Sequence, residues 1–304
     1  MNKEARLENN KSTNPIDALG YEPASNPGKR RLAVVIGSGT ILCAASLGMW
    51  QVFQEEGIEV SMAVGCSGGS FYAGVIALGY DLPTARELSF DMWTSDIFEG
   101  YVSNLRAAMS GEMRFTEHSG LVDDRVAFDR IQRLFEDHTF EQARIPLYIV
   151  STDFYSGESV VHASGKIADA VRASIAIPLI FPPWQISGQL LVDGAVSNPL
   201  PVDVAIKEGA EIIAAMGFEL PTRTRLRSYT AVAAHFNSLY MNNILKSRYA
   251  FYNAVHHAEI IPILPEFDHP VGTFDIDQIP YIIEAGAHSA RMQVPYLRRL
   301  LSER

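Results

Sequence analysis

The 304-residue chain has room for one large α/β domain or two small ones, and it is long enough to bury a sizeable core. Its 47% hydrophobic and 20% charged residues are ordinary for a soluble globular protein. A net charge of −10 excludes nucleic acid as a general partner and argues against recruitment to anionic membranes by bulk charge.

Residues 1–30 are polar, with scattered Pro and Gly and no apolar signal region, and read as a flexible N-terminal tail. Residues 31–304 then read as one α/β domain. Residues 32–53 carry no charge and follow Lys29-Arg30-Arg31, so hydropathy alone would suggest a membrane span. Gly37-Ser38-Gly39 breaks the run. It leaves a short strand over 32–36 and a buried helix to about Glu55, with Gly57 as its left-handed stop. Cys43 and Cys66 lie in apolar surroundings and read as small buried residues in a reducing cytoplasm, not as a disulfide framework.

The second strand is expected over 58–64. It leads into Gly65-Cys66-Ser67-Gly68-Gly69, a G-x-S-x-G between a strand and a helix, which is the context of a nucleophile elbow. The glycines remove Cβ clashes that would forbid so tight a turn. Ser67 sits at its tip, and the following helix turns unpaired N–H groups and its positive dipole end toward it. An oxyanion on an acyl carbon attacked by Ser67 would be stabilised there. The plainer alternative is a Gly-rich turn that only packs.

Pro83 opens a helix over 84–93. Residues 95–117 mix aromatics with charges and are a candidate cap or lid, or equally a surface helical excursion. Helices are expected over 126–135, 167–174, 202–208, 230–254 and 279–301, and strands over 146–150, 190–192, 212–216 and 260–264. A Pro-rich stretch covers 177–183. Strands alternating with helices imply a largely parallel sheet with helices on both faces.

A nucleophilic serine needs a base and an oxyanion hole. Gly37-Ser38-Gly39, between a strand and a helix, can present backbone N–H groups to an anion. It is not a Walker loop, and Leu42 stands where a dinucleotide fingerprint needs its third glycine. Two readings of the base stand. An Asp–His pair downstream would give the order of an α/β-hydrolase triad. The eight histidines are His118, His138, His162, His235, His256, His257, His269 and His288, and none has a motif-like context. The other reading has Asp193 act directly on Ser67. It ends an apolar strand and precedes two small residues, so it can face a crevice at the strand's carboxyl end. Partial desolvation would raise its pKa toward that of a useful base. The alternative role for Asp193 is a plain Asp-Gly turn.

Four blocks of this sequence resemble the patatin-like phospholipases, over about residues 32–301. They are Gly65 to Gly69; Asp193-Gly194-Ala195 with Asn198-Pro199; the A-T-D-x-x-T-G-E-like run Ser151 to Glu158; and the A-S-x-A-x-P-like run from Arg172 through Pro178 to Pro182. The resemblance implies a three-layer α/β/α fold with a mostly parallel central sheet. It implies a Ser67–Asp193 dyad without histidine, an oxyanion hole from Gly37, Ser38 and Gly39, and hydrolysis of lipid acyl esters without metal or organic cofactor. One departure stands out. The family's first turn usually reads G-G-G-x-[RK]-G. Here the basic and glycine positions fall on Ile41 and Leu42, or, with one inserted residue that aligns Gly48, on Leu42 and Cys43. Either way the basic residue and the glycine are missing, which weakens phosphate-headgroup recognition more than acyl hydrolysis.

Two aromatic groups are candidates for an apolar lip and peripheral membrane contact: Phe90, Trp93, Ile97, Phe98 and Tyr101, and Phe236, Leu239, Tyr240, Tyr249, Phe251 and Tyr252. Core packing is the competing explanation. The expected function is a serine lipid acyl hydrolase. Its rivals are a Ser-His-Asp esterase or thioesterase, and a weakly active regulatory or binding protein on the same fold.

Overall fold

The computed structural model describes residues 30–220, 225–255 and 258–302. The expected tail, residues 1–30, lies almost wholly outside them, as do His256 and His257. The strands are β1 (Leu32–Ile36), β2 (Met62–Cys66), β3 (Leu147–Asp153), β4 (Ser159–His162), β5 (Trp184–Ile186), β6 (Gln189–Asp193), β7 (Ile212–Met216) and β8 (Glu259–Ile263). The α-helices are α1 (Ala45–Glu55), α2 (Gly68–Leu78), α3 (Leu82–Met92), α4 (Tyr101–Ser110), α5 (Arg125–Phe135), α6 (Ile167–Ser174), α7 (Val202–Lys207), α8 (Tyr229–Val255) and α9 (Ile279–Ser302).

Hydrogen-bonded strands follow the order β5-β6-β3-β2-β1-β7-β8, with β4 also paired to β3. β1, β2, β3, β7 and β8 are parallel, and β4, β5 and β6 are antiparallel additions at the β3 side. Alternation along β1 divides the core. Leu32, Val34 and Ile36 pack into a layer with α1, α2 and α9, whereas Ala33 and Val35 pack into one with α7 and α8. A strand buried on both faces reads as an unbroken apolar run, as LAVVI does. The architecture is therefore the expected three-layer α/β/α arrangement.

Helices α1 and α9 cross in backbone contact. A Cβ on Gly48 would stand 1.9 Å from the Ile283 carbonyl oxygen, and one on Gly286 1.9 Å from that of Ala45. Gly57, at φ +63°, ends α1 as its position suggests, and its N–H donates to the Gln54 carbonyl. Asp81 caps α3 by accepting the Thr84 N–H, with proline in the first turn. None of the described helices is long and apolar enough to cross a membrane.

Three expectations change. β2 starts four residues later than 58 and continues to Cys66, because Ile58 still closes α1 through its N–H to the Phe53 carbonyl. The short strands β4 and β5 are additional. Residues 95–117 divide in two: a 3₁₀ turn at Ser95–Phe98 packs inward through Ile97, and α4 buries no residue.

Candidate active site

Two strand ends meet head-on on one edge of β3. Ile149 and Val150 pair with Gly65 and Cys66 of β2 on one edge and with His162 and Val161 of β4 on the other. Ser151 and Thr152 keep β4 on that second edge and also pair with Asp193 and Val192 of β6. β6 therefore lies on the β2 edge, beyond the end of β2, and runs toward it. β2 ends at Cys66 beside Val150, and β6 ends at Asp193 beside Ser151. The chain leaving β2 thus carries Ser67 onto Asp193. The Ser67 hydroxyl donates to Asp193 Oδ2 at 2.7 Å, and both side chains are buried.

Ser67 has φ 54° and ψ −131°, a conformation that costs a non-glycine residue about 1–3 kcal/mol. Contacts from outside the turn hold it there. Its N–H donates to Ser174 Oγ at 2.8 Å, and the Ser174 hydroxyl donates to the Val150 carbonyl at 2.6 Å. The Ser70 hydroxyl donates to the Ser67 carbonyl at 2.6 Å. Helix α2 starts against β1 itself, because a Cβ on Gly69 would stand 2.4 Å from the Ile36 carbonyl oxygen. Only glycine permits that approach.

Asp193 is held from both sides. Oδ1 accepts the Ala195 N–H at 2.8 Å, and the Asp193 carbonyl accepts the Thr152 hydroxyl at 2.9 Å. Burial pushes the carboxyl pKa up to about 7, opposed by the bonds from Ala195 and Ser67. A carboxyl group titrating there is partly ionised at neutral pH, as a general base requires.

The first turn is less free than its composition suggests. The Gly37 N–H donates to the Met216 carbonyl at 2.9 Å, continuing the β1–β7 ladder, and the Ser38 N–H donates to the Pro199 carbonyl at 2.8 Å. Those two donors are consumed in holding the turn, which corrects the expectation that all three of Gly37, Ser38 and Gly39 face an oxyanion. The N–H groups of Gly39 and Thr40 have no backbone acceptor among the described residues, and Gly68 opens α2 without an intrahelical one. Leu42 and Cys43 are both buried, and the Cys43 thiol lies 3.3 Å from the Gly37 carbonyl.

A pocket partly open to solvent is lined by Thr40, Ser67 and Gly68. Met92, Trp93, Ile97, Phe98, Ile175, Ile177, Phe181 and Phe274 supply its apolar lining. Phe98 stands edge-on to Phe181 at 5.5 Å and to Phe274 at 4.8 Å. Of the first aromatic group, Trp93, Ile97 and Phe98 reach the pocket. In the second, Tyr249 and Tyr252 pack into the α7–α8 core, while Phe236, Tyr240 and Phe251 are exposed on α8.

Among the described histidines none bonds to Ser67 or Asp193. His162 meets Ser151 Oγ at 2.7 Å, with burial lowering its pKa to about 4. His138 contacts the Phe135 carbonyl, and His269 contacts Gln278. Sequence reasoning assigned no role to Ser174 or Arg172, although both lie in the quoted A-S-x-A-x-P block. Arg172 is fully buried, donates to Asp124 at 2.7 Å and to the Pro182 carbonyl at 3.0 Å, and lies over the Phe181 and Trp184 rings. It ties α6 to the start of α5 behind the pocket wall.

Residues 34–206, more than half of the chain, match the family model described as patatin-like phospholipase. The chain is 30% identical over 185 residues to an uncharacterized NTE family protein of Mycobacterium tuberculosis (strain ATCC 25618 / H37Rv), covering 61% of this chain and 47% of that protein. It is 26% identical over 201 residues to patatin-like phospholipase domain-containing protein 6 of Mus musculus, covering 65% of this chain and 14% of that protein. The chain thus spans less than half the length of these relatives. Among solved structures, VipD from Legionella pneumophila aligns over 89% of this chain and 67% of its own, with 13% identity and a TM-score of 0.45. On the family match, the chain belongs to the patatin-like phospholipase family.

Proposed function

We propose that the chain is a serine lipid acyl hydrolase working through a Ser67–Asp193 dyad. The observation that carries this reading is the 2.7 Å bond from the buried Ser67 hydroxyl to a carboxyl group whose pKa burial raises to about 7. The acyl chain lies along the apolar walls of the pocket. Ser67 Oγ attacks the ester carbonyl carbon while Asp193 takes the hydroxyl proton. The carbonyl oxygen, now an oxyanion, is met by the N–H groups of Gly39, Thr40 and Gly68. Collapse of the tetrahedral intermediate expels the alcohol, which receives the proton from Asp193. Water, deprotonated by Asp193, then attacks the acyl-serine and frees the fatty acid.

Leu179 and Phe274, exposed beside the pocket wall, support brief contact with a lipid surface. The buried free thiols of Cys43 and Cys66 fit a reducing, cytoplasmic setting. The test is labelling with a fluorophosphonate probe together with hydrolysis of a lipid panel, with Ser67→Ala as the blank. The reading expects labelling and hydrolysis in the wild type and neither in a folded Ser67→Ala protein. A wild-type protein that neither labels nor hydrolyses favours the regulatory or binding alternative.

A further inference from the structure

We propose that the outer face of helix α8 is a docking surface for an anionic lipid bilayer. A helix laid on the outside of an α/β layer ordinarily turns a polar, charged face to water. α8 does not. Asn242, Leu245 and Tyr252 are buried and Tyr249 packs beside them, which fixes the core face of the helix. Tyr229, Val232, Phe236, Tyr240 and Phe251 recur at helical spacing on the opposite face. All five are exposed, Tyr229 at 78% and Tyr240 at 65%.

The first half of α8 also stands clear of the sheet. Asn242 exchanges two hydrogen bonds with the backbone of Leu220, beyond Met216 where β7 ends, and the Tyr249 hydroxyl donates to the Ala215 carbonyl within β7. The helix therefore runs antiparallel to β7, and its residues before 242 continue past the strand's carboxyl end. At 1.5 Å per residue, 229–241 is about 20 Å long. None of the described side chains in that segment is buried. β1 and β2, parallel to β7, deliver Thr40 and Ser67 to the pocket at this same end of the sheet.

Charge identifies the occupant. The chain carries a net −10, yet between Glu219 and Glu259 it has no Asp or Glu and holds Arg223, Arg225, Arg227, Lys246 and Arg248. Lys246 pairs with Glu219, and Arg248 donates to the Ser197 carbonyl and the Tyr252 hydroxyl. Arg225 and Arg227 are exposed and lead directly into Tyr229, and among the described residues no carboxylate pairs with either. Aromatic rings beside guanidinium groups match the boundary between acyl chains and phosphate headgroups. A second copy of the chain would bring the same uncompensated cations, whereas an anionic leaflet supplies the missing anions. The net charge of the whole molecule opposes that attraction, so docking is local and oriented by α8.

The test is flotation of the full-length Ser67→Ala chain with vesicles of phosphatidylcholine and with vesicles of equal phosphatidylcholine and phosphatidylglycerol, at low and at high salt. Docking does not depend on Ser67 chemistry, so its failure leaves the acyl-hydrolase reading standing. The expected result is partitioning about tenfold stronger on the anionic vesicles at low salt, falling toward the neutral value at high salt. Arg225→Gln with Arg227→Gln should remove most of that difference, and Phe236→Ser with Tyr240→Ser should weaken partitioning on the anionic vesicles about tenfold. Unchanged melting temperatures would show that these exposed-site variants keep the fold, and Phe236→Trp should add emission that shifts to the blue on anionic vesicles. Failure to float with either vesicle, partitioning that ignores phosphatidylglycerol, or partitioning that survives both double substitutions overturns the inference. A dimer that Phe236→Ser with Tyr240→Ser dissociates, in a chain that does not float, also overturns it and gives the stripe to a second copy.

Discussion

Two parallel strands at the centre of the sheet run to the same end and leave it through glycine-rich turns, β1 through Gly37-Ser38-Gly39-Thr40 and β2 through Ser67-Gly68. Each turn holds one non-glycine residue at positive φ, Thr40 at 50° and Ser67 at 54°, and both residues line the same pocket. What holds them differs. The first turn is fastened by main chain, through the carbonyls of Met216 and Pro199. The second is fastened by side chains, through Ser174 and Ser70, and its own hydroxyl is left for Asp193. The helices respond accordingly. α2 begins directly after Ser67, whereas α1 begins only after a 3₁₀ run at Thr40–Ala44. Similar turn chemistry thus has two outcomes: one turn carries the Ser67 hydroxyl onto Asp193, and the other leaves the Gly39 and Thr40 N–H groups without a backbone acceptor among the described residues.

The largest expected effect comes from breaking the second turn's link to Asp193. Asp193→Asn should lower kcat by about 10³-fold or more, since the Ser67 proton loses its acceptor. The same change should affect stability in the opposite sense. Burial raises the Asp193 pKa from 3.8 to about 7, so the folded chain holds that proton more tightly than the unfolded one. The stability this contributes is complete below about pH 3.8 and is lost as pH rises through about 7. Asp193→Asn should therefore gain in melting temperature relative to wild type on going from about pH 5 to about pH 8. An unchanged difference across that range would show that Asp193 is ionised at both.

Next in size is the attempt to give the first turn the cation it lacks. Leu42→Arg would place a guanidinium in the buried core cluster, with 5% of the leucine now exposed. Melting experiments should show a loss of about 3 kcal/mol or more, and no rise in turnover. A stable variant with faster turnover would show that the turn can swing residue 42 toward the oxyanion.

Smaller again is the loss of the clamp on the elbow. Ser174→Ala leaves the Ser67 N–H and the Val150 carbonyl without their shared hydroxyl, so it should cost about 1–3 kcal/mol of stability. kcat should fall about tenfold with KM little changed, and Ser174→Thr, which keeps the hydroxyl, should recover part of the rate. An undiminished kcat in Ser174→Ala would mean that α2 alone holds Ser67 in place.

Much of this arrangement was legible from local pattern. The runs LAVVI and IIAAM, doubly buried between helix layers, coincide with β1 and β7, and α6 has the bounds its spacing suggests. The Gly65–Gly69 motif and the Asp193-Gly194-Ala195 block gave both members of the Ser67–Asp193 pair. What escaped was set by distant contacts. Ser159–His162 alternates between exposed and half-buried positions over only four residues, so β4 has little apolar signal of its own. The acceptors that consume the Gly37 and Ser38 donors are Met216 and Pro199, more than 160 positions away, and nothing near residue 37 announces them. Ser174 was visible as a residue but not as a clamp, because its partner Ser67 is 107 positions distant.

The most direct test is the pH dependence of Ser67 labelling by a fluorophosphonate under single-turnover conditions, in wild type and in Asp193→Asn. A base buried at Asp193 predicts one ascending limb with an apparent pKa of about 7 in the wild type, and a flat, slow profile in the variant. An ascending limb that persists in Asp193→Asn but disappears on substitution of a histidine would contradict the dyad and return the site to a histidine-based triad.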